Sequence, residues 1–284
     1  MLRPERTFAS ELSRLARDTG RRLKNRDLAA SAATLTFFSA IAIVPWLLLA
    51  VWSATWFTNT DSTEESLLSL RVLVPPDMGA RPAFDALIRA GVHLDLLGVI
   101  LLLFPASFYG DGLRRAALAM APESDRFTSW RARIAVMAIL IAVPPLTWAF
   151  CRVGELMVTF APEGGSTNGS ADLLLRIYIG FWSAWLVLAV LLTWVFRAVT
   201  PGTPRWRVAA AGAVVTGSMM AGFLQGFALF LSLPIDVGLP YGGLGFIGGV
   251  VAVGFWLYIL HAILLAGWAG TRALDARVDT WTAS

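Results

Sequence analysis

The chain has 284 residues, 57% of them hydrophobic and only 15% charged, with a mean hydropathy of +0.66. Soluble domains carry about 25% charged residues, so this composition excludes an ordinary water-soluble globule, and it excludes disorder, which needs the opposite balance. A net charge of +4 is too small to point to nucleic acid unless the charges cluster, a single cysteine (Cys151) forms no internal disulfide, and two histidines make no histidine-rich metal site.

Residues 1–32 are basic and punctuated by acids, without the short apolar stretch and small-residue cleavage site of a signal peptide. Between Glu5 and Asp27, Phe8, Leu12, Leu15 and Leu23 recur at roughly helical spacing among Arg6, Arg14, Arg17, Arg21, Arg22 and Lys24. This predicts a basic amphipathic helix, either seated at the membrane interface or solvated and anchoring the first span by charge.

Six stretches follow that are long and apolar enough to cross a hydrocarbon core of about 30 Å. They run from about Ala33 to Trp56, Val92 to Tyr109, Ile134 to beyond Phe150, Leu173 to Phe196, Val208 to Ser232, and Tyr241 to Trp268. The expected fold is therefore an all-α, polytopic membrane protein: a six-transmembrane-helix bundle with an N-terminal amphipathic helix and short outer interfacial helices. Its expected parts are a cytoplasmic basic segment (1–32), the six-helix domain (33–268) and a cytoplasmic tail (269–284).

An even number of spans puts both termini on one side, and the positive charges say which. Eighteen of the 23 Lys and Arg residues fall in the N-terminal segment, the connection from Gly110 to Arg133, the flanks of the fourth connection and the tail. Only Arg71, Arg81, Arg89, Arg152 and Arg176 fall on the other face. Positive residues near span ends are retained in the cytoplasm, so both termini are expected there. Of the twelve tryptophans, Trp46, Trp52, Trp56, Trp130, Trp206 and Trp268 are read as interfacial anchors.

The first outward connection, from about Phe57 to Gly91, predicts two short helices, Glu64 to Val74 and Pro82 to Ala90, separated by Pro75 and Pro76. The third, Pro162 to Ala171, is a Gly, Ser and Asn-rich loop in which Asn168-Gly169-Ser170 spells a glycosylation acceptor.

Inside the spans, Ala213, Gly217 and Ala221 repeat every four residues beside Ser218, Gly222 and Gly226, and Gly245 and Gly249 do so in the last span. Small residues at this spacing let two helix backbones approach closely, either as static packing or as contacts along which helices slide. Pro45, Pro105, Pro144 and Pro145 each remove a backbone donor and kink or break a span, shaping either a tight bundle or an internal cavity. Ionisable residues within spans are costly unless paired or wet. Arg152 and Glu155 lie three apart, as a pair near the outer mouth of such a cavity or as a snorkelling pair at the interface. Asp95, like His93 and Arg176, lies near the outer membrane surface, while Gln225 and His261 are deeper and suited to hydrogen bonds between helices. Arg152, Glu155, Gln225, His261, Tyr241 and Asp95 are the candidate cavity residues.

No constellation for catalysis is evident. The acids are spread singly over different connections, no phosphate-binding loop ending in Lys-Ser/Thr occurs, and no Ser-His-acid set can be assembled. The chain is therefore read as a non-enzyme with no cofactor, no metal and no nucleic-acid partner, in contact with membrane lipids; whether it forms a homo-oligomer is open.

Several motifs together resemble the YihY/BrkB family of bacterial inner-membrane proteins. They are Ala29-Ala30-Ser31-Ala32-Ala33-Thr34-Leu35-Thr36-Phe37-Phe38-Ser39-Ala40 with Pro45, Thr128-Ser129-Trp130-Arg131-Ala132-Arg133, Pro204-Arg205-Trp206-Arg207 with Ala210-Ala211-Gly212-Ala213, and Tyr241-Gly242-Gly243-Leu244-Gly245 leading through Trp256-Leu257-Tyr258 to Leu264-Leu265-Ala266-Gly267. One departure is that Gly267 is followed by Trp268-Ala269, where many members have Ala-Glu, so no role of that glutamate carries over. The resemblance implies six spans; members have carried a ribonuclease label, which no constellation here supports, and have been linked to serum resistance and envelope lipid export. The function expected is a transporter or exporter of a lipid, amphiphile or small polar solute, working by helix rocking around a central cavity. With no nucleotide-binding motif, its drive comes from a gradient or a partner. The alternatives are a non-transporting scaffold for envelope assembly and, third, a membrane-embedded hydrolase.

Overall fold

The computed structural model describes residues 8–24, 26–56, 59–69, 80–121, 129–143, 145–146, 169–233 and 235–282. These residues form helices joined by turns: α1 (Phe8–Lys24), α2 (Leu28–Ala54), α3 (Thr60–Ser69), α4 (Ala80–Val92), α5 (Leu96–Met120), α6 (Ser129–Met137), α7 (Gly169–Trp194), α8 (Trp206–Ser232) and α9 (Gly245–Thr282). Five helical stretches are long and apolar enough to cross a membrane: Leu28–Ala54, Leu96–Met120, Ile177–Val199, Trp206–Phe227 and Gly245–Val278. Of the third predicted span, α6 and residues 139–143 are helical, and Pro144 and residues 147–168 lie outside the described residues.

Side chains set the helix boundaries. Asp27 caps α2 by accepting from Ala30 N at 2.8 Å, and Asp95 caps α5 by accepting from Gly98 N at 2.8 Å, each satisfying one of the N–H groups a helix start leaves without a partner. The cap at Asp95 corrects the predicted second span, Val92 to Tyr109. Val92 closes α4, and the helix after the cap continues eleven residues past Tyr109, through what the sequence suggested was a connection. The last helix likewise runs unbroken from Gly245 past Trp268 to Thr282. Pro45 and Pro105 lie within α2 and α5 without ending either helix.

On the far side from the arginines, α3 and α4 form the expected pair of short helices, joined by Glu64 to Arg89 (3.5 Å) and His93 (3.7 Å). Within the bundle, α7 pairs with α8 and α2 with α5, α9 joins the two pairs, and α6 closes on α5 and on the end of α7. The main core gathers Leu35, Leu113, Val136, Phe196, Val199, Ala213, Leu265 and Trp268. These residues all sit toward the arginine-rich end, where α2, α6 and α8 begin and α5, α7 and α9 finish. The opposite half is looser: Phe246 of α9 is 84% exposed, and Val250 and Phe255 are more than half exposed, which in water would be unfavourable but in lipid is the expected outer surface.

Candidate functional site

Two polar clusters are embedded among the spans, one above the other along α5. The upper one joins three helices. His261 of α9, only 5% exposed, has Thr36 Oγ1 of α2 at 3.0 Å from Nδ1 and the Tyr109 hydroxyl of α5 at 3.4 Å from Nε2. The Thr36 hydroxyl gives its own hydrogen to the Ala32 carbonyl at 2.8 Å. With the Thr36 hydrogen on Ala32, its oxygen accepts from a ring hydrogen on Nδ1 and Nε2 accepts from Tyr109; in the other tautomer both His261 contacts reverse. Either way a hydrogen-bonded chain, Tyr109 to His261 to Thr36, crosses α5, α9 and α2. Thr36 stands eight residues into α2, about 12 Å from the arginine-rich end at the helical rise.

The lower cluster is built on Asp111, which is 2% exposed. Arg115, one turn on, donates from Nε to Asp111 Oδ2 at 2.9 Å, and Arg133 of α6 approaches the same oxygen at 3.7 Å. Arg133 also lies over the Phe108 ring, 4.9 Å from its centroid. The flanking glycines explain how a carboxylate comes to be sealed here. A Cβ on Gly110 would stand 2.6 Å from the Ala132 carbonyl of α6, and one on Gly112 would stand 2.6 Å from Phe38 of α2. Without side chains these two positions let α6 and α2 close over Asp111 from both sides.

The predicted cavity residues do not converge. Asp95 is exposed and spent on its cap, and Tyr241 is exposed in a short turn (Leu239–Tyr241) at the opposite end of the bundle from His261's partners. Gln225 lies against α7, where its Nε2 would be 2.8 Å from a Cβ on Gly180. His261 alone joins helices through an embedded network. Arg152, Glu155 and Pro144, together with the Asn168 acceptor, fall outside the described residues, and Pro145 lies in a helical stretch.

The small-residue calls separate in the same way. Gly217 meets the α7 backbone at Ala189, with 3.3 Å from its Cβ position, and Gly226 approaches Trp256 at 3.9 Å. Gly222 has only Phe181 at 4.0 Å, while Gly245 and Gly249 have nothing within 4 Å among the described residues. The tightest α8–α9 contacts are instead at Gly212, where a Cβ would collide with Thr271, and Gly267, where it would collide with Thr216. The two threonines donate their hydroxyls back to Gly267 (2.8 Å) and Gly212 (2.7 Å) of their own helices. The crossing is thus a reciprocal pair of glycine and threonine, one residue before Ala213 of the repeat in α8 and well past Gly245 and Gly249 in α9.

Tryptophans also divide. Trp56, Trp130 and Trp206 are exposed near helix ends, as anchors are. Trp46 and Trp52 are half-buried, and Trp268 is a correction: at 2% exposure it fills the core. Sequence reasoning missed Thr36, Tyr109 and Asp111. For Asp111 a signal existed, since Gly110-Asp111-Gly112 followed by Arg115 places a carboxylate between two small residues with its partner at helical spacing.

Among the described residues no three His, Cys, Asp or Glu side chains gather as metal ligands. No curated protein and no solved structure matches the chain. The family model of virulence factor BrkB matches residues 19–282, and that range takes in all five long apolar helices. The protein is a multi-pass membrane protein of the BrkB family.

Proposed function

We propose that the protein is a transporter of a bacterial cytoplasmic membrane, moving a lipid, amphiphile or small polar solute outward, with both termini cytoplasmic and with neither enzymatic activity nor a cofactor. The observation that carries this reading is the Tyr109–His261–Thr36 chain. An ionisable ring between membrane helices is costly and is retained where a path or a moving contact uses it. Two of its three helices contain a proline, and the bundle is tightly packed at the arginine-rich end and open around α9 at the other. Rocking of α9 against α2 and α5 about the packed half would break and remake the chain, giving helix rocking a definite contact to act on.

The test is native mass spectrometry of gently extracted protein to identify a co-purifying lipid or solute, followed by flux of that species from proteoliposomes. Transport by the unaltered chain and its loss in His261→Ala is the expected result. Flux equal to that of empty liposomes would overturn the reading. Tags fused at either end and probed from the periplasmic side check the orientation.

A further inference from the structure

The lipid-facing surface of α7 and α8 ends in arginines that have no acidic counterpart among the described residues. On α7 the exposed side chains are Tyr178, Trp182, Leu186 and Val190, one per turn. On α8 they are Arg207, Ala211, Val215 and Met219, again one per turn. The two helices pack against each other, and each leaves one such stripe uncovered.

Five residues beyond Val190 the backbone changes from α to π geometry over Val195–Val199, and Thr200 N donates to Val195 O at 3.0 Å. This segment carries Arg197, whose guanidinium lies 5.3 Å from the Trp206 ring centroid. Trp206 itself is 53% exposed. From Tyr178 to Arg197 the rise is about 28 Å, close to the thickness of a hydrocarbon core, so Arg197 and Arg207 stand at headgroup depth when Tyr178 lies at the other interface.

Charge then decides what fits. From Leu173 to Ile235 the sequence contains no Asp or Glu. Asp275 of α9 reaches this end, but it accepts from Arg205 N at 3.2 Å. Among the described residues neither Arg197 nor Arg207 has a carboxylate partner, and the Arg197 guanidinium lies against the Trp206 ring. Arg197 is partly exposed and Arg207 is exposed, and at this depth their accessible N–H groups face the lipid headgroup layer, whose phosphates are acceptors matched to guanidinium.

We propose that this face seats an anionic phospholipid of the leaflet at the arginine-rich end. Its phosphate is held by Arg197 and Arg207 beside the Trp206 indole, and its acyl chains lie along the α7 and α8 stripes. The seat is separate from the His261 network, and its occupancy is read by binding alone, so it stands whether or not the chain transports.

The full chain in non-ionic detergent is titrated with dioleoyl phosphatidylglycerol and, separately, with phosphatidylcholine of the same chains, and adducts are counted by native mass spectrometry. The unaltered protein retains phosphatidylglycerol preferentially. Arg197→Gln and Arg207→Gln each lower that preference roughly fivefold, since one arginine at an anionic surface contributes about that factor. The double Lys variant keeps most of the preference, which separates loss of the site from loss of the fold. Arg17→Gln, on the exposed face of α1, leaves it unchanged. Equal retention of both lipids by the unaltered chain, an undiminished preference in the double Gln variant, or an equal fall in Arg17→Gln would each overturn the proposal.

Discussion

The indole Nε1 of Trp46 donates to the carbonyl oxygen of Ala106 at 3.0 Å. Trp46 follows Pro45 in α2, and Ala106 follows Pro105 in α5, so the bond ties together the two turns in which a proline has removed a backbone donor. It also links the smaller cluster around Leu49, Val99 and Ala106 to the helix pair that carries the polar chain below.

This bond has a measurable worth. Trp46→Phe keeps an aromatic ring but removes the donor, and within a bilayer such a bond contributes on the order of 1 kcal/mol or less. The midpoint of thermal unfolding in detergent is expected to fall by a few degrees, with helix content unchanged. An unchanged midpoint would show that the bond contributes nothing to the α2–α5 pairing.

For the polar chain the two ends should differ. Thr36→Val is nearly isosteric yet removes the shorter of the two side-chain contacts of the buried His261 ring, at 3.0 Å, which costs about 1–3 kcal/mol. Tyr109→Phe removes only the longer, 3.4 Å contact, so its cost is smaller. Denaturant unfolding of the two variants checks the order, and a larger loss from Tyr109→Phe would show that the longer contact carries more of the chain's weight.

Asp111 holds two arginines of unequal exposure. The Arg115 side chain is 62% exposed, and its pairing is expected to contribute under about 1 kcal/mol. Arg133 is half-buried, and removing Asp111 strands its charge between α5 and α6. Asp111→Asn should therefore destabilise by about 2–4 kcal/mol, with Arg133→Gln next and Arg115→Gln least. The ranking can be read from unfolding midpoints in one detergent. A cost for Arg115→Gln matching that of Asp111→Asn would move the weight of the cluster to the surface pair.

Glycines provide the last contrast. Gly110→Ala puts a methyl against the Ala132 carbonyl, backbone that cannot turn aside, so a loss of about 1–3 kcal/mol is expected. Gly249→Ala meets nothing within 4 Å among the described residues, and alanine favours the helix by about 0.5–1 kcal/mol. Opposite signs in thermal stability are the expected result.

The arginine distribution and the apolar runs were legible because each depends only on residues close in sequence: hydropathy over a bilayer height, and charge beside a span. Even the pair of helices between the first two spans followed from periodicity and the intervening prolines. Where a span ends was harder. Asp111, Arg114 and Arg115 made 110–120 look like a connection, and only the closure of α2 and α6 over Gly112 and Gly110 allows a carboxylate to continue the helix.

Composition and local order by themselves determined that this chain is a helical, multi-pass membrane protein with one strongly basic flank, because transfer into lipid acts segment by segment. Only the tertiary structure decided which small residues bear the helix crossings and which polar groups meet. Gly212 faces Thr271, and His261 finds Thr36 at a separation of 225 residues; such meetings depend on how whole helices rotate and pair, which no local pattern encodes.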